Sequence, residues 1–231
     1  MDIRERNRKN VLSRWEKHHK KEKEFIEKNK FSTSHLKARL CGFLAGDGNI
    51  LVSGKGKNKH NTIRFFPDDK SLIESFEEAV QKVYNQKIKI KEARNHFIVT
   101  VDSKSLVEDL LSISKFGIYT WEIPKMLNSL TTKTEWLRAF FDCEAHVNQR
   151  YIRIQSVNRK GLLEVKKLLT EFQVQSKLYE YSPKNPKHHK VYILNISKKE
   201  DRKRYAALIG FNHNIKLKKL DETLLTNATI A

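Results

Sequence analysis

The chain has 231 residues, with 46 Lys or Arg against 27 Asp or Glu, a formal net charge of +19 and a pI near 9.8. An excess of that size goes beyond what solubility needs and points to a polyanionic partner, read as nucleic acid because no long basic helix with a bulky apolar face suggests a membrane surface. Two cysteines with no CxxC pair argue against a disulfide scaffold and a four-ligand zinc site. No apolar run approaches the ~20 residues of a membrane span. The charged start "MDIRERNRKNVLSRW" does not resemble a secretory signal, so the expected location is intracellular, in cytoplasm or organelle matrix.

Residues 1–31 read as a strongly basic extension, either a solvated helix or an arm along phosphates. His18 and His19 are expected there as solvent or phosphate contacts rather than metal ligands. From Ser32 an internal repeat begins. Each copy opens with an apolar helix: Leu36, Leu40, Phe43 and Leu44 lead to Asp47, then Leu137, Phe140 and Phe141 lead to Glu144. The spacing places each acid on the apolar stripe, at a helix end whose partial negative charge disfavours it by about 0.3–1 kcal/mol. Thr132 and Glu135 offer a capping box for the second helix, and Gly48 suits a left-handed turn after the first. The large side chains of both helices are expected mainly at a helix–helix seam, and Cys41 and Cys143 as small packing residues.

Two strands follow each acid: "NILVS" and "NTIRFF" in copy one, "AHVN" and "YIRIQSV" in copy two. Next come the helices "KSLIESFEEAVQKVY" and "KGLLEVKKLLTEF". Two further strands, "KIKIKEA" and "HFIVTVD", correspond to "SKLYEYS" and "KVYILNI". A short helix and a glycine close each copy, so the order α-β-β-α-β-β-α occurs twice. Pro124 marks the connector. The expected division is a basic extension (1–31), a first repeat (32–120), a linker (121–131), and a second repeat with the tail (132–231).

Strand alternation separates a core face from a polar one. Ile63 and Phe65 are expected inward with Arg64 outward, and Ile152 and Ile154 inward with Arg153 and Gln155 outward. Ile88 and Ile90 are expected in the core, leaving Lys87, Lys89 and Lys91 as a basic row. With Lys55, Lys57 and Lys59 in the first loop and the basic turn 182–190, such rows suit phosphate and major-groove contact. His188 and His189 in that turn are read as phosphate or solvent contacts. No phosphate-cradling glycine loop, nucleophile elbow or HExxH occurs.

"LCGFLAGDG" (40–48) resembles the nine-residue motif of the LAGLIDADG homing endonucleases, and "LRAFFDCEA" (137–145) resembles it more loosely. "YTWEIPKML" and "ALIGFNHNIKLKKL" are similar to the segments that end each family repeat, so the resemblance covers about residues 34–222 of a single-chain, two-motif protein. It implies an α+β fold of tandem pseudo-twofold αββαββα repeats, whose two four-stranded antiparallel sheets form a saddle over DNA. It also implies that Asp47 and Glu144 are catalytic and hold Mg²⁺ (or Mn²⁺), that Lys216 is an active-site lysine, and that Gln155 is a polar residue near the centre.

The implied activity is site-specific, metal-dependent cleavage of double-stranded DNA at a long target site by a monomer, as in intron homing. The alternatives are a maturase binding intron RNA and a nuclease-dead DNA-binding protein on the same scaffold. Ala139 and Ala145 depart from the motif's glycines. Ala145 in a left-handed cap would cost about 1 kcal/mol, and Ala139 is expected to separate the motif helices slightly.

Overall fold

In the computed structural model, residues 3–54, 60–94, 96–183, 185 and 189–225 are described. The first part of the chain holds α1 (Ile3–Asn29), α2 (Ser34–Ala45), β1 (Gly48–Ser53), β2 (His60–Phe65), α3 (Lys70–Tyr84), β3 (Lys89–Glu92), β4 (Phe97–Asp102) and α4 (Lys104–Ile113). The second holds α5 (Leu130–Glu144), β5 (His146–Val147), β6 (Ile152–Ser156), α6 (Arg159–Glu171), β7 (Lys177–Tyr181), β8 (Val191–Ile196), α7 (Lys199–Leu208) and α8 (Asn214–Leu225). The sheets have orders β1-β2-β4-β3 and β5-β6-β8-β7, antiparallel throughout. The fold is therefore a mixed α/β arrangement of two matching four-stranded sheets. No described helix is long and apolar enough to cross a membrane.

The two halves meet along α2 and α5, and small residues set how closely. A Cβ added at Gly42 would lie 2.5 Å from the Trp136 carbonyl oxygen and 2.8 Å from the Ala139 Cβ. One added at Gly46 would lie 2.5 Å from the Cys143 Cβ. The large side chains expected at this seam turn away from it instead. Phe43 packs at a tilt against Phe65 and Phe76 (4.9 Å and 6.2 Å between centroids), whereas Phe140 packs on Trp121 and Trp136 (4.8 Å and 5.0 Å). Close backbone approach leaves no room for rings between the helices, so each ring fills the core of its own half. Ala139 sits in the space that Gly42 vacates and does not prop the helices apart. Across the seam, Arg39 donates to Glu135 at 2.7 Å; Arg39 also donates to Glu78 of α3 at 2.8 Å, and Arg138 donates to Glu135 within α5 at 3.0 Å.

Several local expectations are corrected. The α5 capping box is made by Ser129 and Thr132, each hydroxyl accepting the other's backbone N–H at 3.2 Å, while Glu135 serves the seam ion pairs. The helix therefore starts one turn earlier than Thr132. Gly48 does not have positive φ. It is small because a Cβ there would lie 2.6 Å from the Leu44 Cα. Ala145 has φ −80° and ψ 133°, an extended conformation open to any residue, so the predicted strain is absent. Ile90 is 53% exposed rather than buried. It lies on β3, the outermost strand of its sheet and paired on one side only, while Ile88 packs partly against the core.

The halves also close on each other reciprocally. After α4, the chain carries Trp121 into the second half, where Asn158, the N-cap of α6, donates to the Trp121 carbonyl at 2.7 Å. After α7, it carries His213 back to the first half, where Nδ1 lies 3.6 Å from Asp69, the N-cap of α3. Each closing segment thus lands on the cap of the other half's middle helix.

Candidate functional site

Asp47 and Glu144 follow from where the two motif helices stop. Asp47 lies two residues beyond α2, and its carbonyl accepts the Phe66 N–H at 2.9 Å, which anchors it where β1 joins β2. Glu144 is the last residue of α5. Because the helices touch at Gly46 and Cys143, the two acids emerge side by side and each is half-buried. Burial pushes both carboxyls up. Glu144 is raised to about 7, with the Asp47 charge adding to the burial effect and Lys216 opposing it. Asp47 is raised by burial and by Asp68, and is lowered by Lys216, the Cys143 thiol and His213. Two acids that each depend on Lys216 for relief occupy one electrostatic site.

Lys216, near the start of α8, reaches the end of α5. Its Nζ donates to the Asp142 carbonyl at 2.5 Å and to the Cys143 carbonyl at 2.9 Å. A cation thus meets the negative end of the helix that carries Glu144. Gln155, exposed on β6, shares a cleft of about 190 Å³ with Glu144, Gly46, Gly48 and Trp121.

Three further residues complete the setting. Asp142, fully buried, accepts the N–H groups of Asn212 (3.0 Å) and His213 (3.0 Å), which orients the start of α8 and hence Lys216. Burial raises its carboxyl to about 7 despite those bonds. His213 is buried, with Nε2 lying 3.3 Å from Asp68, whose carboxyl is lowered chiefly by that interaction. The sequence offered a weak signal for Asp142, an acid inside an apolar helix. It offered none for Asp68 and His213, which are 145 residues apart.

On the open faces of the sheets, the expected cations fall into matching rows. In the first sheet the register aligns Asn49, Arg64, Thr100 and Lys89, and in the second His146, Arg153, Asn195 and Lys177. Arg64 and Arg153 thus occupy equivalent places. Ile63, Phe65, Ile152 and Ile154 are buried beneath them as alternation requires. Arg153 is held in place, donating to Asn195 at 2.9 Å over the Tyr151 ring at 4.0 Å. Lys89 is exposed but paired with Asp102 at 2.9 Å. Lys91 is exposed on β3, and Lys87 is exposed just before it. Lys55, Lys57, Lys59 and His188 lie outside the described residues. Exposed His189 packs edge-on to Tyr119 at 5.3 Å.

Comparison with known proteins agrees with this architecture. Residues 131–210 match the profile of the LAGLIDADG-like domain. The chain is 30% identical over 194 residues to the replication factor C small subunit of Methanocaldococcus jannaschii, a match that covers 81% of the chain but only 10% of that much longer protein. Among solved structures it is similar to I-DmoI in complex with DNA and Mn, with TM-score 0.61 at 19% identity over 77% of this chain and 97% of that one. I-DmoI is a homing endonuclease. The chain is also similar to full-length DUF199/WhiA from Thermatoga maritima, with TM-score 0.56 at 14% identity over 92% of this chain and 67% of that one. The second half of the chain thus matches the LAGLIDADG-like domain, and the chain as a whole has the fold seen in I-DmoI and in DUF199/WhiA.

Proposed function

We propose that this protein is a divalent-metal-dependent, site-specific endonuclease acting on double-stranded DNA, and that Asp47 and Glu144 carry the chemistry. The observation that carries this reading is the convergence of two half-buried acids from equivalent ends of α2 and α5, each raised by burial and balanced by Lys216. The fold does not suffice on its own, because DUF199/WhiA has it as well as I-DmoI.

The donor set fits a divalent ion. Oxygen donors from two carboxylates suit Mg²⁺ or Mn²⁺, and desolvated negative charge at this spot is only partly offset by one lysine. I-DmoI complexes with DNA contain Mn or Ca. Asp47 and Glu144 would hold the ion, which when bound supplies Lewis acidity at a phosphodiester. The chain's own groups do the rest. Lys216 spends two of its three donors on helix carbonyls, leaving one for a phosphate oxygen or the charge that develops on it. Gln155, in the cleft beside Glu144, is placed to orient a water or a backbone oxygen. The arginine rows on the two sheets position the duplex, with Arg64 and Arg153 able to meet phosphates or guanine edges.

The test is a selection from a library of candidate target sites with Mg²⁺. Wild type should yield double-strand cuts at a preferred site, and Asp47→Asn should bind that site without cutting it. Intact DNA with wild type would reject the nuclease reading. Retained DNA binding would then leave a nuclease-dead DNA binder, and selective binding of structured intron RNA would leave a maturase.

A further inference from the structure

The basic extension holds a cluster that the proposed nuclease site does not use. On a helix, a side chain neighbours the residues three and four positions before it, so Glu22 of α1 meets both His19 and His18. His19 Nδ1 lies 3.2 Å from Glu22 Oε2, and His18 Nδ1 lies 3.5 Å from Glu22 Oε1. All three ligand atoms fall within 4.8 Å of one another, the one such group of three among the described residues. Zinc bonds of about 2.0–2.2 Å in a tetrahedral shell separate neighbouring ligand atoms by roughly 3.3–3.6 Å, and each imidazole approaches that spacing to one of the two Glu22 oxygens.

The carboxylate at the centre is held by groups from the body of the protein. Gln86 Nε2 donates to Glu22 Oε1 at 2.7 Å, and the Ser105 hydroxyl donates to Oε2 at 2.8 Å. Ser105 Oγ also lies 3.3 Å from His19 Nδ1, so a fourth polar atom borders the cluster. Supporting hydrogen bonds of this kind orient a ligating carboxylate before an ion arrives.

We propose that His18, His19 and Glu22 bind one Zn²⁺-class transition-metal ion that clamps α1 against the first repeat. Two imidazoles and one carboxylate favour zinc over magnesium, the opposite preference to the oxygen-only pair at Asp47 and Glu144. All three ligands lie on α1, so the ion would act on the helix angle through Glu22, fixing the carboxylate that Gln86 and Ser105 of the body hold. Before His18 the chain carries four arginines and two lysines, and Trp15 is exposed. The clamp would therefore aim a basic arm. This inference does not depend on the nuclease reading.

The test uses the full chain in millimolar Mg²⁺, titrated with Zn²⁺ against a chromophoric chelator, with Co²⁺ as a spectroscopic probe. One equivalent of Zn²⁺ should bind at micromolar or better affinity, and Co²⁺ should give the visible bands of a four-coordinate site. Ser105→Ala should weaken binding about 10-fold, and His18→Ala should exceed the roughly 10–100-fold cost of losing a supporting partner. The His18 side chain is 61% exposed, so that change leaves folding intact. Asp47→Asn should bind Zn²⁺ unchanged, and Zn²⁺ should slow amide exchange across residues 14–29. Affinity no better than millimolar, or one equivalent bound equally by His18→Ala and Glu22→Gln, would overturn the clamp and leave a hydrogen-bonded docking surface.

Discussion

Lys216 Nζ and the Cys143 carbonyl, 2.9 Å apart, tie the start of α8 to the end of α5, one residue before Glu144. The lysine is both a strut and a cation whose charge lowers both of the acids that burial raises. Its placement relies on Asp142, which receives the N–H groups of Asn212 and His213 from the same segment.

Lys216→Met should therefore leave target binding within a few-fold of wild type while slowing cleavage by about 10²–10³, the usual cost of losing one preorganised donor. Single-turnover cleavage and filter binding on the selected site check this together. Equal losses in both would make the lysine merely structural.

The pH dependence follows from the raised carboxyls. Glu144 and Asp142 sit near 7, against ordinary values of 4.5 and 3.8, and Asp47 is raised as well. The folded state thus holds these protons more tightly than the unfolded chain, so their contribution to stability is fullest below about pH 4 and is lost as pH rises to about 7. Thermal melts of metal-free protein should fall across that window relative to Glu144→Gln, which carries no such proton. Mg²⁺ should raise the melting temperature near pH 8 and do little near pH 5. A metal effect independent of pH would place the ion elsewhere.

The seam between α2 and α5 tolerates almost no added volume. Gly42→Ala would press a methyl against the Trp136 carbonyl, a backbone atom that cannot step aside, and should cost about 1–3 kcal/mol in urea denaturation. Gly46→Ala meets the Cys143 side chain instead. Its cost should shrink when combined with Cys143→Gly, a non-additivity expected of touching residues. Strict additivity would mean the helices part more easily than their close approach implies.

Arg64 and Arg153 occupy equivalent positions in the two sheets. Arg64→Ala and Arg153→Ala should each weaken target binding, and wherever the arginine neutralises one phosphate its removal should lower the salt slope by about 1. Where the arginine reads a base, preference should relax at positions equidistant from the cleavage centre on opposite sides. Profiling both variants against single-base target variants measures this, and asymmetric positions would break the pseudo-twofold reading.

Much of this was legible without coordinates. The order of helices and strands followed from local periodicity, and the alternation that buried Ile63, Phe65, Ile152 and Ile154 left Arg64 and Arg153 on the opposite face. The duplicated acid at the end of an apolar helix was visible as an electrostatic anomaly. Short-range rules sufficed because side chains two, three or four residues apart have fixed relative directions in a strand or helix.

What tertiary structure decided was which distant groups meet. Gly48 is kept small by Leu44 close by in the chain, whereas Gly42 and Gly46 proved to be packing surfaces because their requirement comes from a helix nearly a hundred residues away. Glu135 was drawn to Arg39, Ile90 was left at a sheet edge, and His213 crossed to Asp68 for the same reason. Burial shifted Glu144 and Asp142 through the packing around them, and Glu22 gained Gln86 and Ser105 from beyond its own helix. Sequence determined the elements and their faces; close packing between elements determined the distances and the dielectric, on which the site's chemistry depends.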